Sequence, residues 1–363
     1  MQEIKINTEA LQDMVGRVIC CSSNNKLIPL TSLMSIKVHN NVLTLTTTDA
    51  TNYFYVNSKD KVDCEDFEVS VIAELFTRLI QKTTTKEVTL TINNNVLEVK
   101  GNGTYKIELP LDENGNAIKF PNKLPDEEPV FDTVIMKSVI DKIINYNKPS
   151  LAISVERPVL CSYYCGGVVL SGDREKICCT DIDLLGKKLL ITAPLMDLLG
   201  VMSEESINVK YADDHTLFWT PTDTIYAPIT SGVDAYPADA LKGLLDLEIK
   251  SMCKVSHTAV MDMLDRLSLF VSSYDKKEIT LTFAQDGVLF SSKQSSGTEL
   301  VPYTESVNFE PFTCGIDIEM FKSQISAQDC ESITMYYGHP DFIKMVSGNV
   351  TQLVALADDG EEA

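Results

Sequence analysis

Asp181 and Asp183 stand two apart beside Ile177-Cys178-Cys179-Thr180, a run that reads as a strand. Carboxylates at i and i+2 on a strand share one face, an arrangement that can hold a divalent cation. A turn competes with that reading. An Asp that follows Thr at a strand end folds into an Asx turn, and Asp49 after Thr48 repeats the first position without the second carboxylate. The turn is the stronger reading, and a metal-dependent hydrolase using Asp181 and Asp183 is the enzymatic alternative. The ten cysteines and four histidines do not add a metal centre. Cys20-Cys21 and Cys178-Cys179 are vicinal, Cys161 and Cys165 flank three residues, and Cys64, Cys253, Cys314 and Cys330 stand alone. Without a CxxC pair or a Cys/His quartet, buried reduced thiols are expected, with no metal and no cofactor. Phosphate loops, dinucleotide fingerprints, GxSxG and HExxH are absent, so no catalysis is expected.

Charge is more informative. Fifty-two acidic against 31 basic residues give a net charge of −21, opposite in sign to most chains that grip nucleic acid. Contact with DNA therefore requires a local patch on a surface that otherwise repels phosphate. Candidate cations sit opposite the apolar stripes of the expected helices. They are Arg17 with Asp13 on the first, Arg78 with Glu74 on the second, Lys142 flanked by Lys137 and Lys148 on the third, Arg266 with Asp262 on the fifth and Lys322 on the sixth. For any single helix, a solvated face with local ion pairs explains these residues. Layered sheets, however, would bring all the helices to one side.

The elements that position these residues recur. Thr8 caps a helix built on Leu11, Met14, Val15 and Val18, and strands follow at Leu33 to Val38, Val42 to Thr47 and Asn52 to Val56. Ile177 to Leu190 reads as a hairpin like Leu43 to Val56, two apolar runs around a Thr-Asp turn. Helices begin near Thr8, Ile72, Lys137, Pro194, His257 and Ile318, roughly one every sixty residues. Six β-α-β-β-β units in three pairs give an α+β chain of three domains at 1–115, 129–235 and 247–357. A linker rich in Pro, Asn and acids spans 116–128, a connector spans 236–246, and an acidic tail ends the chain at 358–363. With 363 residues, no apolar run of membrane length and a polar start, the chain is expected to be soluble and cytoplasmic, away from membrane.

Leu27-Ile28-Pro29-Leu30, Leu43-Thr44-Leu45-Thr46-Thr47-Thr48-Asp49, Arg157-Pro158-Val159-Leu160, Cys179-Thr180-Asp181 and Tyr236-Pro237 add a likeness in their order and spacing. Over nearly its whole length the chain resembles the bacterial-type sliding clamp, the beta subunit of replicative DNA polymerase. The divergence, with domain order retained, fits a virus-encoded member. The resemblance implies two crescents closed head to tail into a ring, with sheets outside and helices around double-stranded DNA, bound without regard to sequence and without catalysis. It places DNA contacts at Arg17, Lys26, Arg78, Lys82, Lys142, Lys148 and Arg266. It places ring closure at Tyr105 and Ile107 against Phe270 and Val271, with Lys100 or Lys106 near Glu299. In place of the family's acidic run there, this chain has Ser295-Ser296-Gly297-Thr298-Glu299.

The resemblance also implies a pocket for short linear motifs of the polymerase and the clamp loader, at Thr180, Leu185, Pro237, Leu241, Leu353 and Val354. Two departures alter that pocket. Ile182-Asp183-Leu184 replaces the family's Gly-His-Arg, and Ala355-Leu356-Ala357 replaces its Met-Pro-Met end. A repeat-built assembly protein without DNA is the structural alternative, and retention on circular DNA distinguishes the two.

Overall fold

The computed structural model describes residues 2–153, 156–173, 175–271, 277–292 and 297–357. The tail 358–363 and the Ser295-Ser296 stretch of the expected closing edge lie outside the described residues. Seven α-helices are present among them: α1 (Thr8–Val18), α2 (Ala73–Gln81), α3 (Lys137–Asn147), α4 (Ala193–Val201), α5 (Ala238–Leu245), α6 (His257–Leu267) and α7 (Ile318–Ser326). Six of them start within one residue of the expected positions. The seventh, α5, occupies the stretch read as a connector.

The strands form four antiparallel sheets. One end sheet runs Gln2–Asn7, Glu87–Asn93, Val96–Lys100, Thr104–Glu108. An eight-stranded sheet runs Phe67–Ile72, Leu33–His39, Val42–Thr48, Tyr53–Asn57, Asp223–Pro228, His215–Trp219, Ser206–Tyr211, Thr133–Met136. A nine-stranded sheet runs Leu189–Thr192, Ser162–Cys165, Val169–Gly172, Lys176–Thr180, Val350–Ala355, Phe342–Ser347, Ser332–Tyr337, Ser251–Ser256, Glu305–Val307. The second end sheet runs Thr298–Pro302, Gly287–Ser292, Glu278–Phe283, Phe312–Asp317.

Each of the six expected β-α-β-β-β units is present, and the units exchange strands in pairs. The strand before α1 pairs with Glu87–Asn93, which follows α2, and the strand before α2 pairs with Leu33–His39, which follows α1. The same swap ties the strands around α3 and α4, and those around α6 and α7. Such an exchange places a unit's helix over two sheets at once, which covers apolar faces that a single unit would leave wet.

Two contact-dense bodies result, one comprising residues 1–140 and 194–229, the other 141–193 and 230–363. In the first, α1 packs on α2 and on the strands Val42–Thr48 and Tyr53–Asn57. In the second, α6 packs on α7 and on the strands Ser251–Ser256, Ser332–Tyr337 and Thr298–Pro302. The spacing of Val260, Met263, Leu264 and Leu267 puts all four on one face of α6, and all four are buried. Burial of each stabilises by about 1.5–3 kcal/mol, an upper bound because the unfolded chain is already partly collapsed.

Strand runs directly into helix, so the capping residue is the last residue of the strand. Asn7, rather than the expected Thr8, caps α1, its Oδ1 accepting from Ala10 N–H at 3.0 Å. Ser256 and Asp317 cap α6 and α7 in the same way.

The expected hairpin at Ile177 to Leu190 does not form. Lys176–Thr180 pairs with Val169–Gly172 and Val350–Ala355, whereas Leu189–Thr192 pairs with Ser162–Cys165. Thr298–Pro302 and Glu305–Val307, only two residues apart, lie in different sheets.

Candidate functional site

The paired carboxylates do different things. Asp49 makes the expected Asx turn, Oδ1 accepting from Thr51 and Asn52 N–H at 2.8 and 2.7 Å. At the second position the turn is made by Asp183, which accepts from Gly186 N–H at 2.9 Å, and Asp181 instead donates its backbone N–H to the Asn349 carbonyl. Among the described residues no three of His, Cys, Asp and Glu gather as a metal site. Burial pushes the Cys165 thiol up to about 12 and the Cys179 thiol up to about 11, so neither is a ready nucleophile.

The seven proposed DNA-contacting cations fall into three groups. Arg17 is committed inside the protein. Its guanidinium pairs with Asp223 and, at 2.8 Å, with Asp13, leaving the Arg17 side chain 11% exposed and that of Asp223 0%. The other Asp223 oxygen accepts from Ser203 N–H at 2.7 Å. This pair joins α1 to the strand Asp223–Pro228, across the seam where that strand meets Tyr53–Asn57. Arg17 is therefore a seam residue, because its nearest full countercharge lies on the neighbouring strand and not in solvent.

Arg78 and Arg266 form the second group, exposed but paired. Arg78 meets Glu74 one turn earlier at 2.6 Å, and Arg266 grips Glu299 with two hydrogen bonds of 3.0 and 2.5 Å. That fork, assisted by its charge, holds the Glu299 carboxyl below the usual range. Lys26, Lys82, Lys142 and Lys148 form the third group and are exposed. Lys26 adjoins exposed Leu27 and Ile28, Lys82 follows the last turn of α2, and Lys142 lines a cavity of about 470 Å³ with Tyr146, Pro149 and Asp329.

On the opposite face of the first seam lies a contact that the sequence reading missed. Tyr53 and Tyr226 are directly paired across the strands, their rings edge to face, and the Lys123 ammonium sits 5.9 and 5.7 Å from their centroids. The Lys123 N–H also donates to Tyr55 Oη at 3.3 Å. The linker is thus fastened to the seam it crosses. The alternation Tyr53, Tyr55 on one strand was the available signal, since aromatics on a solvent face ask for a cover.

The second seam, Lys176–Thr180 against Val350–Ala355, is flanked on each side by buried neutral groups, and Ser150 Oγ donates from one side to Gln324 Oε1 on the other at 2.9 Å. Thr180 donates to Asn147 Oδ1 at 2.6 Å, Asn147 Nδ2 donates to the carbonyls of Val169 and Cys178, and Gln328 donates to Gln352 Oε1 at 2.6 Å. All of these side chains are buried.

This geometry divides the six expected pocket residues. Thr180 faces the Asn147 network. Leu353 and Val354, as neighbours on a strand, point to opposite faces. Leu353 joins Leu241, Leu245, Tyr164 and Tyr236 in one apolar cluster, whereas Val354 belongs to the core under α6 and α7. Pro237 precedes α5 and is half-buried, and Leu185 is buried in the loop after Thr180. The open depression beside them, about 580 Å³, is floored by Cys179, Thr351, Val346 and Tyr336 and rimmed by Lys242 and Leu245 of α5. Lys344 ties its roof down by donating to the carbonyls of Leu245 and Leu247. The period of two through Phe342, Lys344 and Val346 was the signal for this wall.

Of the eight strands that end the four sheets among the described residues, Thr104–Glu108 and Thr298–Pro302 are the two that lie where the resemblance puts ring closure. Beside the first, Tyr105 is 46% exposed, while Ile107 on the same face is only 5% exposed and serves its own core. Beside the second, Phe270 is 54% and Leu269 82% exposed, and Val271 is half-buried. Glu299 faces Arg266, Lys100 pairs with Glu98 at 3.0 Å, and Lys106 is exposed. Leu269 and Leu300 are apolar exposures that the sequence reading did not single out.

Residues 2–115 match the family described as DNA polymerase III beta subunit, N-terminal domain. Similar solved structures include the DNA polymerase III beta chain of Streptococcus pneumoniae TIGR4, 14% identical with a TM-score of 0.85, covering 98% of this chain and 100% of that one. The DNA polymerase sliding clamp of Bacillus subtilis is 14% identical with a TM-score of 0.84, covering 98% and 99%. DNA polymerase III subunit beta of Borrelia burgdorferi is 18% identical with a TM-score of 0.84, covering 99% and 100%. No curated protein matches. At these identities the structural likeness shows the fold. No helix among the described residues is long and apolar enough to cross a membrane.

Proposed function

We propose that this chain, whose first 115 residues match the N-terminal domain of the DNA polymerase III beta subunit family, is a DNA sliding clamp. It tethers a polymerase to duplex DNA by encircling it, makes and breaks no bond, and works in the cytoplasm. The observation that carries the reading is continuity: the sequence match over residues 2–115 passes without interruption into a clamp fold over 98% of the chain. The exchange of strands between paired units supports three clamp domains at 1–115, 129–235 and 247–357, which the seams join into continuous sheets.

Two copies close head to tail when Thr104–Glu108 of one extends the sheet ended by Thr298–Pro302 of the other, with Tyr105 covering Leu269 and Phe270. The helices then face the duplex, and a net charge of −21 keeps phosphate off the outer sheets. The polymerase and its loader dock extended, apolar-anchored segments against Leu185, Pro237, Leu241 and Leu353 and in the adjoining depression. The test is topological. Protein loaded on nicked circular plasmid stays bound through a high-salt wash and leaves when the plasmid is cut once; retention after cutting, or none before it, overturns the reading.

A further inference from the structure

The six helices that head the repeated units carry eight carboxylates and six cations, so the surface assigned to DNA is not basic. Its cations are largely engaged already. Arg78 is held by Glu74 at 2.6 Å, Lys322 by Asp265 at 2.5 Å, Arg266 by Glu299 at 2.5 Å, and Lys277 meets Glu319 of α7 at 2.5 Å. Glu74 precedes Arg78 by four residues, the order that suits the helix dipole. Lys26, Lys82 and Lys142 have no ion pair among the described residues.

Exposed pairs of this kind are weak, and a phosphate can replace the carboxylate at small cost. We propose that the clamp grips DNA by partner exchange: Arg78, Lys322 and Arg266 are held by Glu74, Asp265 and Glu299, and touch phosphate only by leaving them. Three standing cations then set the resting contact. This rests on the clamp reading, which places these helices against the duplex. Its consequence is a shallow salt dependence, because a cation that trades a carboxylate for a phosphate releases few additional counterions. With three standing cations per chain and two chains around the duplex, log K against log[salt] has a slope of about −5.

The experiment measures binding of the full chain to a 30-base-pair linear duplex between about 50 and 200 mM salt, the range over which phosphate contacts change affinity most visibly. Glu74→Gln and Asp265→Asn, each freeing one cation per chain and so two per ring, are expected to steepen the slope by roughly two and to tighten binding several-fold at the low end. Glu305→Gln is the control. It frees Lys254 in the strand Ser251–Ser256, raises net charge equally, and should leave the slope unchanged.

A wild-type slope of about −11, the value if the paired cations counted in full as well, an unchanged slope in both helix variants, or an equal response in the control overturns partner exchange. The plasmid-release assay reads the clamp assignment separately. Protein retained on circles with slopes indifferent to Glu74→Gln refutes the exchange and leaves the clamp standing.

Discussion

Removing one end of the Arg17–Asp223 pair leaves the other end charged and out of reach of water. Arg17→Ala strands the buried Asp223 carboxylate with Ser203 N–H as its remaining donor, and should cost about 3–5 kcal/mol of unfolding free energy. Arg17→Met with Asp223→Leu removes both charges and should cost clearly less than the sum of the single changes, as a denaturant double-mutant cycle would read. Arg78→Ala, which breaks an exposed pair, should change stability by less than about 1 kcal/mol. The Glu299 pair adds a pH signature. Hydrogen bonds from Arg266 hold the folded-state pKa of Glu299 below its ordinary 4.5. The contribution is therefore present above 4.5 and lost as pH falls through the folded value. Both partners are partly exposed, so screening keeps it below about 1 kcal/mol. Wild type should exceed Glu299→Gln in stability at neutral pH and converge with it in acid.

At the level of elements, Gly287 holds the second end sheet to its edge strand. A Cβ there would meet the Val301 carbonyl oxygen at 2.3 Å and Pro302 Cα at 2.9 Å, backbone atoms that move only if the Gly287–Pro302 pairing opens. Gly287→Ala should cost about 1–3 kcal/mol and strip hydrogen-exchange protection from Thr298–Pro302, with the nine-stranded sheet intact. The elements themselves were largely legible in the sequence. Apolar spacing along Leu11, Met14, Val15 and Val18 specifies a helix locally, and the same signal recurs in every unit. Pairing is a long-range property and was not legible. Ile177 to Leu190 looks like a hairpin until Ile177 is seen opposite Leu353, and Arg17 looks like a surface cation until Asp223 is seen beside it. Residues 238–245 were hidden for another reason, since Tyr236-Pro237 carries a boundary signal and eight residues make a short periodic run.

For the whole molecule, the proposed ring closure rests on two small edges. Each offers about five residues of free backbone and a few exposed apolar side chains, with Tyr105 at one edge and Leu269, Phe270 and Leu300 near the other. An interface of that size is held by a few anchors, so a charge placed on one should abolish it while both bodies remain folded. Tyr105→Lys alone and Phe270→Glu alone are each expected to sediment as monomers and to be lost from nicked circular DNA. A chain carrying both changes sets the introduced lysine of one copy against the introduced glutamate of the next at each of two head-to-tail joints, and should recover dimer and retention together, more strongly at low salt. Recovery needs two identical heterologous contacts that close on themselves. An isologous dimer through either edge would place like charges together, and the double variant would then be no better than the single ones.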